Sequence, residues 1–117
     1  MKTLYFKKGE DIVQENTLSD CLYIIHSGLV EVSRKTAQGG KRVIADLREN
    51  HIFGELGLID GLPQSATVTA LKDCTVSTLS KECFDSLSRH HPEALMPILE
   101  ILVSRLRTVL NENRLIS

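Results

Sequence analysis

The sequence lacks long apolar runs and carries no excess of either charge. Its longest apolar stretch, 98–103, is interrupted by Glu100 and falls far below the roughly twenty residues that a membrane-spanning helix requires. Fourteen Lys and Arg residues stand against fifteen Asp and Glu residues, so no basic field exists to hold a nucleic acid. The sequence therefore predicts a chain that neither inserts into a membrane nor binds nucleic acid.

Cysteine is also scarce, and the N-terminal residues are polar. Cys21, Cys74 and Cys83 are an odd number without a C-x-x-C pair, which argues against a disulfide framework and a zinc knuckle. We expect each of them to be a small buried hydrophobic residue. After Lys2 the chain continues through Tyr5 and Phe6 to two more lysines, where a secretory signal peptide would have its apolar core. The expected location is the cytoplasm, including the cytoplasmic side of a membrane protein.

The histidines form none of the patterns that metal sites need. His26, His51 and the pair 90–91 include no H-x-H motif. The step from His51 to Glu55 gives only two ligands, where a catalytic zinc or iron site needs about three. In addition, no serine or cysteine lies in a nucleophile elbow. We therefore expect neither a metal, nor a resident cofactor, nor enzyme activity in this chain.

What remains is the composition of one globular domain, predicted over 1–117, with 42% hydrophobic and 25% charged residues. Up to Leu79 the chain is a series of short runs of β-branched and aromatic residues separated by turn residues. Strands at this spacing predict a sandwich or a partly closed barrel. The predicted strands are two within 22–32 that meet at Ser27-Gly28, a hairpin of 30–34 with 41–47 around Gln38-Gly39-Gly40, and then 66–71 and 74–79.

The pattern after Ser80 becomes helical. Ser80 is a suitable N-cap for a helix over 81–89, and Pro92 suits the first position of another. Apolar residues at 95, 99, 102, 106 and 109 then predict a terminal helix of about fifteen to twenty residues, whose regular part begins near Pro97. Two interpretations stay open for its apolar sides. Either all of them pack on the chain's own domain, or one side forms a homodimer with a second copy.

The segment between Phe53 and Val68 is the candidate binding site. Gly54 opens a short helical turn whose unpaired amides favour an anion. Glu55 offers paired acceptors for sugar hydroxyls, and Ser65 is placed to contact the opposite side of a phosphate. By itself this pattern fits a turn helix that closes one end of a barrel equally well.

Several short motifs spread along nearly the whole chain form one ordered pattern. They are Lys8-Gly9-Glu10-Asp11 with Glu15, Asp20 with Leu22-Tyr23-Ile24-Ile25, Ser27-Gly28, Val30, Phe53-Gly54-Glu55-Leu56 and Ala66-Thr67-Val68. In this order they resemble the cyclic nucleotide-binding domain family. The resemblance implies a mainly β fold with flanking helices: an eight-stranded β-roll, a jelly-roll-like double-stranded β-helix at about 8–80, with a phosphate-binding cassette, an N-terminal helical piece and two C-terminal helices at about 81–115.

The resemblance also implies a ligand, cyclic AMP or cyclic GMP, and the residues that hold it. The amides of Gly54 and Leu56 would bind the cyclic phosphate, and Glu55 would accept the ribose 2′-hydroxyl. Phosphate oxygens would contact Ser65 and Ala66, with the purine between the roll and the last helix. The ligand-binding residues expected on this basis are Phe53, Gly54, Glu55, Leu56, Gln64, Ser65, Ala66 and Thr67.

The sequence departs from the family pattern at Gln64, where the family has an arginine that pairs with the phosphate. Glutamine carries no charge, and loss of such a buried charge pair costs roughly 2 to 5 kcal/mol. Lys41 or Arg42 on a neighbouring strand could supply the missing positive charge, but a solvated surface position is expected for both. Asn50-His51 stands where the family usually has Gly-Asp, so a different turn is expected before the cassette. His51 is expected to be a half-exposed turn residue rather than a contact of the phosphate.

Two functions follow from the sequence. The first is a regulatory domain that binds a cyclic nucleotide and signals through movement of its C-terminal helix. The second is a degenerate module in which Gln64 has abolished nucleotide binding and the domain serves in dimerisation or protein docking. In either case the output requires a partner, and the chain is expected to be part of, or partner to, a larger effector such as a transporter.

Overall fold

The computed structural model describes residues 2–101, 103, 104 and 107. It divides into two compact units, Met1–Cys83 and Phe84–Ser117. The first unit contains the strands and the candidate binding segment, and the second contains helical turns. The assignment of the whole chain to one domain stays a prediction.

The first unit is built from strands joined by short turns. In the described residues these strands form two antiparallel sheets of four strands each. They are β1 Lys2–Phe6, β2 Asp11–Val13, β3 Cys21–Ser27, β4 Val30–Lys35, β5 Lys41–Leu47, β6 Ile52–Phe53, β7 Thr67–Ala70 and β8 Cys74–Ser80. One sheet has the order β1-β8-β3-β6 and the other the order β2-β7-β4-β5. The predicted mainly β, jelly-roll-like fold is confirmed.

The core lies among the inward-facing residues of both sheets. Ile25 on β3, Val30 on β4 and Val76 on β8 are completely buried, as strand alternation requires of one face. Burial of each such side chain stabilises the fold by roughly 1.5 to 3 kcal/mol. The buried cluster consists of Val13, Ile25, Val30, Phe53, Val68, Ala70, Cys74 and Val76.

Two of the predicted turns are present, but one of them joins strands that do not pair. The hairpin of β4 and β5 is confirmed, and in its loop the Thr36 amide donates to the Gly40 carbonyl at 2.9 Å. The strands on either side of Ser27-Gly28 also exist, but β3 and β4 do not pair with each other. This turn instead carries the chain from one sheet to the other.

Two expectations about the first unit are wrong. The N-terminal helical piece is absent from the described residues, because Lys2–Phe6 is β1 and pairs along its whole length with β8. The backbone N–H and C=O groups of β1 hydrogen-bond to the edge of β8. Of the three cysteines only Cys74 is buried. Cys21 and Cys83 are half-buried, and no disulfide joins any of them.

The second unit begins within a helix that the sequence predicted. The shorter helix α1 spans Glu55–Asp60, and α2 spans Lys81–His90 directly after Ser80. The Ser80 hydroxyl accepts the Cys83 amide at 3.1 Å and so caps the helix. Pro92–Leu95 forms one 3₁₀ turn with the proline at its start, as expected, and residues 96–101 are helical.

The rest of the predicted terminal helix is largely outside the described residues. Its apolar positions 102, 106 and 109 lie there, so the seam and the homodimer based on it stay predictions. None of the helices in the described part of the chain combines the length and the apolar character needed to cross a bilayer.

Two leucines of contrasting exposure test the burial of the strand residues outside the buried cluster of the first unit. Leu22 on β3 is 1% exposed and Leu18 is 75% exposed. We expect Leu22→Ala to lower the free energy of unfolding by about 2 to 5 kcal/mol, because it leaves a cavity, and Leu18→Ala to change it by less than about 0.5 kcal/mol. Urea denaturation of both variants measures the difference. Equal losses would contradict the burial described here.

Candidate functional site

The candidate segment connects the two sheets between β6 and β7 and contains α1. Gly54 precedes α1 in the left-handed conformation, with φ 79° and ψ 1°. A Cβ atom there would lie 3.0 Å from Tyr23 Cδ2 and 3.2 Å from the Cys21 carbonyl oxygen. Both the conformation and the close approach to β3 therefore require glycine. The result is a short helix that begins directly after β6.

Helix α1 also lies close to the chain that precedes β3. A Cβ atom at Gly57 would lie 2.7 Å from the Ser19 carbonyl oxygen and 2.8 Å from Gln64 Nε2. At the other end of α1, Gly61 ends the helix with its amide donating to the Gly57 carbonyl at 3.0 Å. Gly54 and Gly57 thus allow α1 to pack closely on the backbone carbonyls of Cys21 and Ser19.

Gln64, the residue at the arginine position, is buried against this helix. Its backbone forms two hydrogen bonds with the turn after β2, donating to the Thr17 carbonyl at 2.9 Å and accepting from the Asn16 amide at 2.8 Å. The side chain is 8% exposed, and among the described residues Nε2 has no hydrogen-bond partner. A buried donor without a partner costs about 1 to 3 kcal/mol, and this amide lies beside Gly57.

The residues after Gln64 are fixed by the neighbouring strands. The Ser65 carbonyl accepts a hydrogen bond from Arg34 Nε on β4 at 2.9 Å, while the Ser65 side chain is exposed. Thr67 Oγ1 accepts the Glu15 amide at 3.0 Å. Ala66 lies between them and is half-buried.

The residues at the start of the segment divide between core and surface. Phe53 is 4% exposed, and its ring is stacked on that of Tyr23 with centroids 5.0 Å apart, which gives it a packing role. Glu55 is the first residue of α1 and is half-buried, and Leu56 follows it in the helix. All of the predicted residues thus lie between the end of β6 and the start of β7. Their contacts with a ligand stay predictions.

Arg34 is a residue of this region that the sequence analysis missed. On β4 alternate residues share one face, so Arg34 lies in phase with Val30 and Val32, which pack on the core. Arg34 itself is exposed, so the alternation of β4 gives no signal that singles it out. Its contact with Ser65 joins residues 31 positions apart, and no short spacing in the sequence indicates such a contact.

The other basic candidates have different surroundings. Lys41 Nζ forms an ion pair with Glu31 Oε1 at 2.6 Å, and Arg42 is exposed. His51 is half-exposed, and its Nδ1 accepts the Arg48 amide at 2.9 Å, as expected for a turn residue. Asn50 has φ 67°, a conformation that asparagine tolerates better than most residues, so the turn before β6 retains a left-handed position.

Groups of three metal-ligating side chains are absent from the described part of the chain. Among the thiols, burial and the neighbouring Asp20 carboxylate raise the pKa of Cys21. A raised pKa keeps the thiol protonated at neutral pH, which makes it a poor nucleophile.

Two four-stranded antiparallel sheets with a glycine-led helical turn between β6 and β7 define a β-roll domain with an inserted candidate segment. Residues 3–91 match the cyclic nucleotide-binding domain family. The chain belongs to that family.

Individual relatives agree in sequence and in fold. The crystal structure of the Thermus thermophilus catabolite activator protein is 29% identical, with a TM-score of 0.79 over 98% of this chain and 54% of that one. A cAMP-dependent protein kinase regulatory subunit of Eremothecium gossypii is 32% identical over 87% of this chain and 20% of that protein. An ABC transporter ATP-binding protein of Mycobacterium bovis is 32% identical over 71% of this chain and 25% of that protein.

The chain therefore spans about a quarter or less of these two curated relatives and about half of the solved activator. The shared part is the binding domain, so the similarity concerns this domain and its fold.

The packing of α1 predicts the effect of a single methyl group at Gly57. Alanine is normally favoured over glycine inside a helix by about 1 kcal/mol. Here the new Cβ would meet the Ser19 carbonyl, so we expect Gly57→Ala to lower the free energy of unfolding by about 1 to 3 kcal/mol.

Urea denaturation measures the effect, and Gly40→Ala is the matched control. At Gly40 the nearest atom to a new Cβ is Thr36 Oγ1, at 3.2 Å, which belongs to a side chain and not to the backbone. We expect a change of less than about 0.5 kcal/mol in that variant. Stabilisation by Gly57→Ala would show that α1 does not lie on the chain before β3.

Proposed function

We propose that this chain is a regulatory domain that binds a cyclic nucleotide, cyclic AMP or cyclic GMP, at the segment from Phe53 to Thr67. The observation that carries the proposal is the glycine-led entry into α1. Gly54, in the left-handed conformation, starts α1 directly after β6, and the N-terminal end of a helix stabilises a phosphate. Membership of the cyclic nucleotide-binding domain family supports the same ligand class.

In this proposal each residue of the segment has one chemical role. The amides at Gly54 and Leu56 hold the cyclic phosphate, and Glu55 accepts the ribose 2′-hydroxyl. Ser65 and Ala66 contact phosphate oxygens from the opposite side. The chain itself performs no catalysis and works as a cytoplasmic sensor.

The output of the sensor is a change in the C-terminal helix. Such coupling requires a ligand that binds more tightly to one arrangement of this helix than to the other. The helix then transmits the change to an effector that is attached to the domain or bound by it. The similarity to part of an ABC transporter ATP-binding protein supports a transporter as one kind of effector.

One observation favours a second candidate, a module that has lost nucleotide binding and serves in dimerisation or docking. Gln64 is neutral, and its amide is buried against Gly57. A neutral amide does not replace the bidentate, charge-assisted pair that an arginine makes with a phosphate.

Calorimetric titration with cyclic AMP and cyclic GMP distinguishes the two candidates. We expect the natural protein to bind one of them, and Gln64→Arg to bind about 30-fold or more tightly, because it restores a charged partner for the phosphate. Gln38→Arg adds the same charge at an exposed loop position and is expected to bind like the natural protein.

Circular dichroism first establishes that all three proteins are folded. The absence of heat with the natural protein up to millimolar nucleotide, together with binding by Gln64→Arg, would refute the sensor. The docking module would then be the correct function.

A further inference from the structure

Two arginines lie directly opposite each other at the loop end of the β4–β5 hairpin. This end is close to the candidate segment from Phe53 to Thr67, which is called the cassette below. Arg34 pairs with Arg42 in the register of the two strands, one pair away from the loop. Side chains directly opposite in an antiparallel pair have their Cβ atoms about 5 Å apart, and like charges in such a pair are destabilising. No carboxylate of the described residues forms an ion pair with either guanidinium. The pair is thus a concentration of positive charge without a counter-ion in this part of the chain.

An irregularity in β5 brings apolar surface to the same place. Val32 pairs with Ala45 and Ser33 with Val43, so Ile44 is an extra residue between the two pairs. Such a bulge interrupts the alternation of side chains. Val43 and Ile44, though adjacent in sequence, therefore line one recess of about 430 Å³ together with Arg34 and Arg42. Both apolar residues are about half exposed, at 50% and 51%.

Arg34 is also held beside the cassette. Its Nε donates to the Ser65 carbonyl at 2.9 Å, and Ser65 directly follows Gln64. This bond uses one of the five N–H donors of the guanidinium, and the others remain for an acceptor in the recess. The recess, the arginine pair and the last part of the cassette are therefore contiguous, all within the unit Met1–Cys83.

We propose that Arg34, assisted by Arg42, supplies the positive charge for the ligand's phosphate that the cassette lacks at Gln64. The inference rests on the proposed function, because it assumes that a cyclic nucleotide binds at this segment. An anion between the two arginines removes their mutual repulsion and gains charge-assisted hydrogen bonds.

The test compares Arg34→Gln with Lys35→Gln by calorimetric titration with cyclic AMP and cyclic GMP. Lys35 is exposed and precedes the loop on the same strand, so its replacement removes the same charge from the opposite strand face. We expect Arg34→Gln to weaken binding about 10- to 150-fold, the loss of a hydrogen bond to a charged group. Lys35→Gln is expected to bind within about threefold of the natural protein.

Salt dependence separates a charge contact from a merely structural role of Arg34. The dissociation constant of the natural protein and of Lys35→Gln should rise with sodium chloride concentration, and that of Arg34→Gln should rise less steeply. If Arg34→Gln weakens binding without reducing this slope, Arg34 acts only by holding Ser65, and the inference is wrong.

The remaining outcomes distinguish this inference from the proposed function. Binding by the natural protein with no loss in Arg34→Gln, or with equal losses in both variants, would overturn the inference alone. The absence of binding by the natural protein up to millimolar nucleotide would overturn both, because Arg34 would then not compensate for Gln64.

Discussion

The close packing of α1 against the chain at the start of β3 is the constraint on which the candidate site depends. Two positions in the segment, Gly54 and Gly57, have no room for a Cβ atom, because the Cys21 and Ser19 carbonyls and the Tyr23 ring lie within 3.2 Å of where it would be. Only with glycine at both positions does the helix approach this closely. The approach determines the direction of its first turn, and it also places the Gln64 amide beside the helix.

The same packing explains how the site departs from its family. The interior position beside Gly57 is occupied by the amide of Gln64, which is buried and has no partner among the described residues. The charge that belongs to a phosphate site lies instead on β4, where Arg34 reaches the Ser65 carbonyl. A cation held at the edge of the roll is more exposed to solvent than one inside it, so its interaction with an anion is more strongly screened.

Much of the fold followed from local patterns, and the errors have physical causes. The β4–β5 hairpin was predictable because two glycines and an alternating run specify a turn and its partner strands. Strand β1 was missed because its pairing with β8 joins residues far apart in sequence, and no local pattern encodes a partner at that separation. Within the site, the residues from Phe53 to Thr67 were predictable as a set. Arg34 was not, because a bond between β4 and Ser65 exists only when the two are neighbours in space.

The sequence by itself determined the family, the β-rich first part, the capped helix at Ser80 and the absence of charge at position 64. These features depend on residue types and short spacings, which are properties of the chain alone. The tertiary structure decided that β3 and β4 belong to different sheets and that Phe53 packs on Tyr23. It also decided that Arg34 opposes Arg42 beside the cassette. Each of these results depends on strand register and sheet order, which arise only when distant segments compete for the same backbone partners and the same core.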